Sequence, residues 1–83
     1  ERILTALAMD IRENSPAVVF ALFRNRDGRV IAHSFEKELP APLKRVGVDG
    51  REGDIRMELA PFGTVRVVTY PIESYGTITV GFR

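Results

Sequence analysis

The chain has 83 residues, the length of one small domain. Hydrophobic residues make up 45% and charged residues 28% of it, which excludes an intrinsically disordered segment. The net charge of +1 argues against nucleic-acid binding, and the absence of cysteine excludes disulfides, thiolate metal sites and a cysteine nucleophile.

The chain begins with an amphipathic segment. Apolar residues recur at helical spacing over residues 1–14, which predicts a helix with one apolar face, and Pro16 favours its end just before. The next run, residues 17–23, is apolar throughout. It predicts a strand that is buried on both faces and therefore central in its sheet.

A hairpin and a long loop follow the first strand. The Asp27-Gly28 pair predicts a tight turn, because glycine adopts positive φ without steric cost, and residues 30–35 are the return strand. Residues 36–54 contain too many prolines and glycines for a strand. They predict a loop with one helical turn near residues 41–45, and loops of such length are more often functional than inert.

The remainder of the chain predicts three further strands. Residues 55–59 alternate between apolar and charged, residues 64–70 form a strand that Pro71 stops, and residues 77–82 form the last strand after a turn at 73–76. The order of elements predicts an α+β domain with five antiparallel strands. The helix covers one face of the sheet and the long loop the other.

Catalytic chemistry is poorly supported by the side chains. His33 is the single histidine, too few for a zinc or haem site, and its neighbour Ser34 points to the opposite face of a continuous strand. The glycine-rich residues 47–53 lack the ending of a phosphate loop. We therefore expect no enzyme, no catalytic residue, no metal and no cofactor.

Four polar residues form a candidate ligand-binding set. Strand alternation places Arg29 with His33 on one face of the second strand, and Arg66 with Tyr70 on one face of the fourth. If both faces point toward the loop, these side chains converge on a pocket suited to a carboxylate. The alternative is that the arginines are solvated, His33 ends its strand, and Tyr70 packs partly in the core with its hydroxyl outward.

Two stretches resemble a known family. Residues 17–35, with an apolar strand, the Asp27-Gly28 turn and an apolar stretch ending in His33, are similar to the first hairpin of Cache-type (PAS-like, PDC) extracytoplasmic sensor domains. The Pro71-Ile72 pair before a turn, with Gly76 and Gly81 in the final strand, resembles the last two strands of that family. The similarity spans residues 17–83.

The resemblance implies a PAS-like sheet of strand order 2-1-5-4-3 and a ligand between the sheet and the loop. Arg29 and His33 match the positions that hold a carboxylate in citrate- and dicarboxylate-sensing relatives. We expect a small carboxylate or other anion as the ligand. We also expect a second copy of the chain as a partner, because the part of the apolar face of the N-terminal helix that does not pack on the sheet can pair with the same helix in a two-fold dimer.

The resemblance also implies where the domain acts. Residues 1–83 are then one sensor domain with a lead-in helix at 1–14, cut from a longer membrane-anchored protein. We expect the extracytoplasmic (periplasmic or cell-surface) part of a sensor histidine kinase or chemoreceptor in the cytoplasmic membrane. The alternative is a cytoplasmic PAS-like or profilin-like module that recognises protein through its sheet.

Overall fold

The structure is a computed structural model that describes residues 2–48, 51–60 and 62–83. Its elements in chain order are the helix α1 (Arg2–Asn14), the strands β1 (Val18–Asn25) and β2 (Val30–His33), a 3-10 turn (Ala41–Leu43), and the strands β3 (Gly53–Leu59), β4 (Gly63–Ile72) and β5 (Gly76–Phe82). The strands form one antiparallel sheet of order β2-β1-β5-β4-β3. The predicted α+β fold and its strand order are therefore confirmed.

The apolar strand β1 lies at the centre of the hydrophobic core. It pairs with β2 along one edge and with β5 along the other, and its residues from Phe20 to Arg24 are all buried. A strand with neighbours at both edges and cover on both faces has no position for a solvated side chain. This explains why residues 17–23 contain no polar residue.

Two small cores lie on opposite sides of the sheet. On the helix side, Ala8 of α1 is fully buried and packs with Ala21 and Phe23 of β1. On the loop side, Phe20 and Leu22 pack with residues of the segment between β2 and β3, chiefly Leu43 and Val46. The helix and the loop thus cover opposite faces of the sheet.

Strand β2 ends two residues earlier than predicted. The Ala21 N–H donates to the Ser34 hydroxyl at 3.0 Å, and the Ser34 N–H donates to the Ala21 carbonyl at 2.9 Å. The buried Ser34 side chain therefore accepts the bond that a strand carbonyl would otherwise accept. The regular ladder stops at His33, and the chain turns toward the loop.

Strands β3 and β4 are longer than predicted. β3 begins at Gly53 rather than residue 55, because Gly53 and Asp54 already pair with Thr69 and Val68. β4 continues through Pro71, which pairs with Thr77 of β5. The pairing of β4 with β3 ends at Thr69. Pro71, which has no N–H, lies beyond that point, so no hydrogen bond to β3 is lost.

The helix covers only part of its side of the sheet, packing on β1 and β2. Two of its large apolar residues remain exposed, Ile3 at 76% and Leu7 at 46%. Within residues 2–48, 51–60 and 62–83, no helix is long and apolar enough to cross a membrane.

Candidate functional site

The loop between β2 and β3 packs against the sheet at Gly47. The Thr69 and Thr79 hydroxyls hydrogen bond to each other at 3.0 Å on the loop side of β4 and β5. A Cβ added to Gly47 would lie 2.5 Å from the Thr79 hydroxyl oxygen and 2.9 Å from that of Thr69. Gly47 also has a φ of +71°, so both the space and the backbone conformation favour glycine at this point.

A buried arginine holds the preceding part of the loop. The Arg24 side chain reaches from β1 and donates to four backbone carbonyls, those of Gly28 at 2.7 Å, Leu43 at 3.4 Å, Lys44 at 2.7 Å and Val46 at 3.0 Å. Arg24 is only 4% exposed, and this burial lowers the pKa of its guanidinium. An arginine nevertheless remains charged in a protein. Arg24 thus fixes residues 43–46 relative to the β1–β2 turn.

A cavity of about 360 Å³ lies beside this anchored segment, between the loop and strands β3 and β4. This volume is at the lower end of the range for small-molecule sites, roughly 300–1,000 Å³. It is the position at which the sequence resemblance predicts a ligand. The lining consists of Arg45, Val46, Gly47, Arg51, Glu52, Gly53, Ile55, Met57, Val67 and Thr69.

The lining combines an apolar wall with polar groups near the loop. Ile55, Met57 and Val67 come from alternate positions of the paired strands, so their side chains share the loop side of the sheet. Thr69 contributes a hydroxyl, and Arg45 an exposed guanidinium. Such a lining can hold a small molecule with an apolar body and one anionic group.

The predicted residues on and near β2 are separated by an irregularity in the strand. Phe23 pairs with Ala32 but Arg24 pairs with Val30, so Ile31 is an extra residue. Ile31 packs with the helix-side core while Val30 packs with the loop-side core. The alternation predicted from Arg29 to His33 is therefore broken.

Arg29 and His33 occupy different environments as a result. Arg29 is exposed at the β1–β2 turn, where its N–H donates to the Asn25 side-chain oxygen at 3.0 Å. His33 pairs with Leu22 and is half-buried on the loop side. Its Nδ1 accepts a hydrogen bond from the Phe35 N–H at 3.2 Å. Neither residue lines the cavity between the loop and β3 and β4.

Arg66 and Tyr70 lie on the opposite side of the sheet. They pair with Phe82 and Ile78 of β5, and Ile78 packs with the helix-side core. Arg66 forms a bidentate pair with Asp54, with N···O distances of 2.8 and 2.5 Å. That hydrogen bond lowers the pKa of the Asp54 carboxyl and raises the pKa of Arg66.

The structure thus does not bring the four predicted residues together. Arg29 lies at the exposed β1–β2 turn and His33 on the loop side of the sheet, whereas Arg66 and Tyr70 lie on the helix side. The ligand-binding role of each stays a prediction. Sequence reasoning missed Arg45 and Thr69. The signal for Thr69 was the alternation of Val65 and Val67 with the charged Arg66, which marks the covered face of β4.

Family models, curated proteins and solved structures give no match to this chain. The fold and the cavities therefore supply the functional argument, together with the sequence resemblance stated above.

Groups for metal binding are not assembled in the part of the chain that the structure describes. No three histidine or acidic side chains among those residues are placed to hold a metal ion. The Ser34 hydroxyl accepts a bond from the Ala21 N–H, and the His33 Nδ1 accepts one from the Phe35 N–H. Each of these two polar atoms is already used to shape the end of β2.

Proposed function

We propose that this chain is the ligand-sensing domain of a transmembrane signalling protein, a sensor histidine kinase or chemoreceptor. The observation that supports this most is the cavity of about 360 Å³ between the loop and a sheet of order β2-β1-β5-β4-β3. A sensing domain needs a pocket whose occupancy acts on a segment that can rearrange. Here the loop residues Arg45, Val46 and Gly47 form one wall of that pocket.

The ligand that fits the cavity best is a small organic anion. Its apolar part would contact Ile55, Met57 and Val67, while its carboxylate would accept hydrogen bonds from Arg45 and from the Thr69 hydroxyl. Glu52 also lines the cavity and disfavours a second negative charge on its side. A monocarboxylate therefore fits this lining better than a tricarboxylate.

The signal would pass through the backbone of the anchored loop segment. Val46 lines the cavity, and its carbonyl accepts hydrogen bonds from Arg24. A ligand that binds one arrangement of this segment more tightly than another shifts the population toward that arrangement. Arg24 would carry the change to the β1–β2 turn, whose Gly28 carbonyl it also contacts.

A homodimer through α1 is part of this proposal. Ile3 and Leu7 are one helical turn apart and exposed, so they form an apolar stripe beside the face that packs on the sheet. A second copy of the helix would cover this stripe in a two-fold pair. Placement of the domain outside the cytoplasmic membrane rests on the sequence resemblance of residues 17–83.

A cytoplasmic PAS-like or profilin-like interaction module is the second candidate. It is favoured by the incomplete cover of the helix side, where α1 packs on β1 and β2 while Tyr70 on β4 remains 52% exposed. The sequence that flanks this domain in its full-length protein separates the two candidates. Apolar spans on its flanks support the sensor, whereas a continuous polar chain supports the module.

A thermal-shift screen of organic acids, amino acids and inorganic anions tests the sensing function. A ligand present at 100 times its Kd stabilises the native state by about 2.7 kcal/mol, which raises the Tm of a domain of this size by roughly 10 °C or more. We expect a monocarboxylate with a short apolar chain to give the largest shift. A screen without any saturable shift contradicts the proposal.

Matched variants locate the ligand. Arg45→Gln should abolish the shift, whereas Arg2→Gln, at an exposed arginine on α1 that lines neither this cavity nor its neighbour at the β1–β2 turn, should leave it unchanged. Arg29→Ala and His33→Ala test the residues that the sequence resemblance implies. Loss of the shift in these two variants, with Arg45→Gln unaffected, would move the ligand away from the loop cavity.

A further inference from the structure

A second cavity lies at the end of the sheet where the β1–β2 and β4–β5 turns meet. It has a volume of about 320 Å³ and is separate from the cavity between the loop and β3. Its lining includes Arg24, Gly28 and Thr77, with Arg26, Asp27 and Glu73 as its further charged residues. Two features of this lining remain unexplained by the fold.

The first feature is the uncompensated charge of Arg24. Arg24 is buried, with 4% of its surface exposed. All of its hydrogen-bond acceptors in the described part of the chain are nevertheless neutral backbone carbonyls. A guanidinium has five N–H donors, two of them on Nη1. Nη1 donates once, to the Gly28 carbonyl, so among the described residues its second N–H has no acceptor. Gly28 and Arg24 both line the cavity, and Nη1 is the Arg24 nitrogen that bonds the Gly28 carbonyl.

The second feature is the hydroxyl of Thr77. This residue is 5% exposed, and its Oγ1 has no hydrogen-bond partner within residues 2–48, 51–60 and 62–83. Thr77 is the direct partner of Arg24 across the β1–β5 ladder, so the two side chains stand next to each other on the loop side. Buried hydroxyls without a partner are rare in native proteins and require an explanation.

The geometry points to an anion site in this cavity, in which one small monocarboxylate accepts hydrogen bonds from Arg24 Nη1 and from the Thr77 hydroxyl. A carboxylate has two oxygens with which to meet two adjacent donors, and its charge compensates the buried guanidinium. Asp27 and Glu73 also line this cavity, but neither accepts a hydrogen bond from Arg24. Sulfate, hydrogen phosphate and polycarboxylates would add a second negative charge beside these acids, so the site selects a monoanion.

This inference does not depend on the sensing function, because it uses a different cavity and different side chains. The test is a titration of the purified domain with sodium acetate, followed by the ¹H–¹⁵N resonances of Gly28 and Thr77, with sodium chloride and sodium sulfate at matched ionic strength as comparisons. We expect saturable shifts with acetate and weaker effects with chloride and sulfate. Equal effects of acetate and chloride, or no saturable shift with acetate, overturn the assignment.

Substitutions of Thr77 make the test specific. Thr77→Val keeps the shape of the side chain and removes the donor, so acetate should bind about tenfold or more weakly, while Thr77→Ser should retain binding. Thr79→Val is the control, because Thr79 is a buried threonine on the same strand and face whose hydroxyl pairs with Thr69.

Unchanged acetate affinity in Thr77→Val overturns the site. Loss of the acetate effect in Arg45→Gln but not in Thr77→Val assigns the acetate to the loop cavity instead, which rejects this site and leaves the sensing proposal standing. Loss in Thr77→Val with no effect of Arg45→Gln supports the site, whatever the result of the sensing screen.

Discussion

Thr69 and Thr79 share a hydrogen bond of 3.0 Å on neighbouring strands, and the backbone of Gly47 rests on the pair. This contact fixes how closely the loop approaches the sheet, and Thr69 and Gly47 both line the cavity between the loop and β3 and β4. Any side chain at position 47 would have to displace one of the two hydroxyls.

Gly47→Ala should therefore destabilise the domain strongly. The added Cβ meets both threonine hydroxyls at less than 3.0 Å, and the φ of +71° is itself unfavourable for alanine. We expect a loss of about 2–4 kcal/mol in the free energy of unfolding, measured by urea denaturation. Gly63→Ala is the control, since Gly63 has a φ of +78° with nothing within 4 Å of an added Cβ. It should cost about 1 kcal/mol. Equal losses in both variants would mean that crowding at Gly47 is unimportant.

Arg24→Met should destabilise the domain through the loop backbone. Methionine fills much of the same space but leaves the carbonyls of Gly28, Lys44 and Val46 without the donor that they share. We expect the free energy of unfolding to fall by about 2–4 kcal/mol, and amide hydrogen exchange to accelerate around residues 43–48. Arg26→Met, in the adjacent exposed turn, should change stability by less than about 0.5 kcal/mol. Unaltered exchange in Arg24→Met would contradict the anchoring role.

Asp54 should make stability depend on pH in the acid range. The hydrogen bond from Arg66 lowers the pKa of the Asp54 carboxyl in the native state below its ordinary value of 3.8. At a pH between the lowered native-state pKa and this ordinary value, the native state therefore binds fewer protons than the unfolded state. The stability that this pair contributes is thus present above about pH 4. It is lost as the pH falls through the native-state pKa.

The measurement is a series of urea denaturations of wild type and Asp54→Asn from pH 2 to pH 7. The difference in the free energy of unfolding between the two proteins should shrink toward low pH. It should be small throughout, because the side chains of Asp54 and Arg66 are half exposed and exposed ion pairs contribute little. Asp10→Asn, an exposed carboxylate on α1, is the control. A difference that grows toward low pH would contradict the sign of the shift.

Leu7→Lys should weaken the proposed homodimer without unfolding the protein. Leu7 is 46% exposed, so lysine is tolerated in the monomer, but its charge would be buried in a helix pair. Sedimentation equilibrium should show an increase of at least tenfold in the dimer dissociation constant. Ala6→Lys adds the same charge at an exposed position about 100° around the helix and should have a smaller effect. A wild-type protein that stays monomeric at millimolar concentration would contradict the dimer.

Local sequence signals were sufficient to predict the elements and the central strand, while the full strand order came from the family resemblance. The unbroken apolar run after Pro16 places β1 in the centre of the sheet, and the Asp27-Gly28 turn connects β1 to β2. Alternation also indicated that β3 is covered on a single face. The strand ends were less accurate, because Ser34 and Pro71 act through their neighbours on other strands.

The candidate site could not be predicted in the same way. Alternation shows which side chains share a face of one strand, but not which side of the sheet that face occupies relative to a second strand. In β2, the extra residue Ile31 breaks the alternation, so that it no longer places Arg29 and His33 on the same side of the sheet. In β4, the register against β5 places Arg66 opposite Phe82.

The sequence by itself thus determined the elements, the central strand and the cover on each face, since each depends on the spacing of apolar residues along the chain. The tertiary structure alone decided that Arg45 and Thr69 line one cavity, and that Arg24 and Thr77 stand side by side at another. These residues are distant in sequence. The pairing register of the strands and the packing of Gly47 against the sheet bring these residues together. Both depend on contacts between distant parts of the chain that no local pattern encodes.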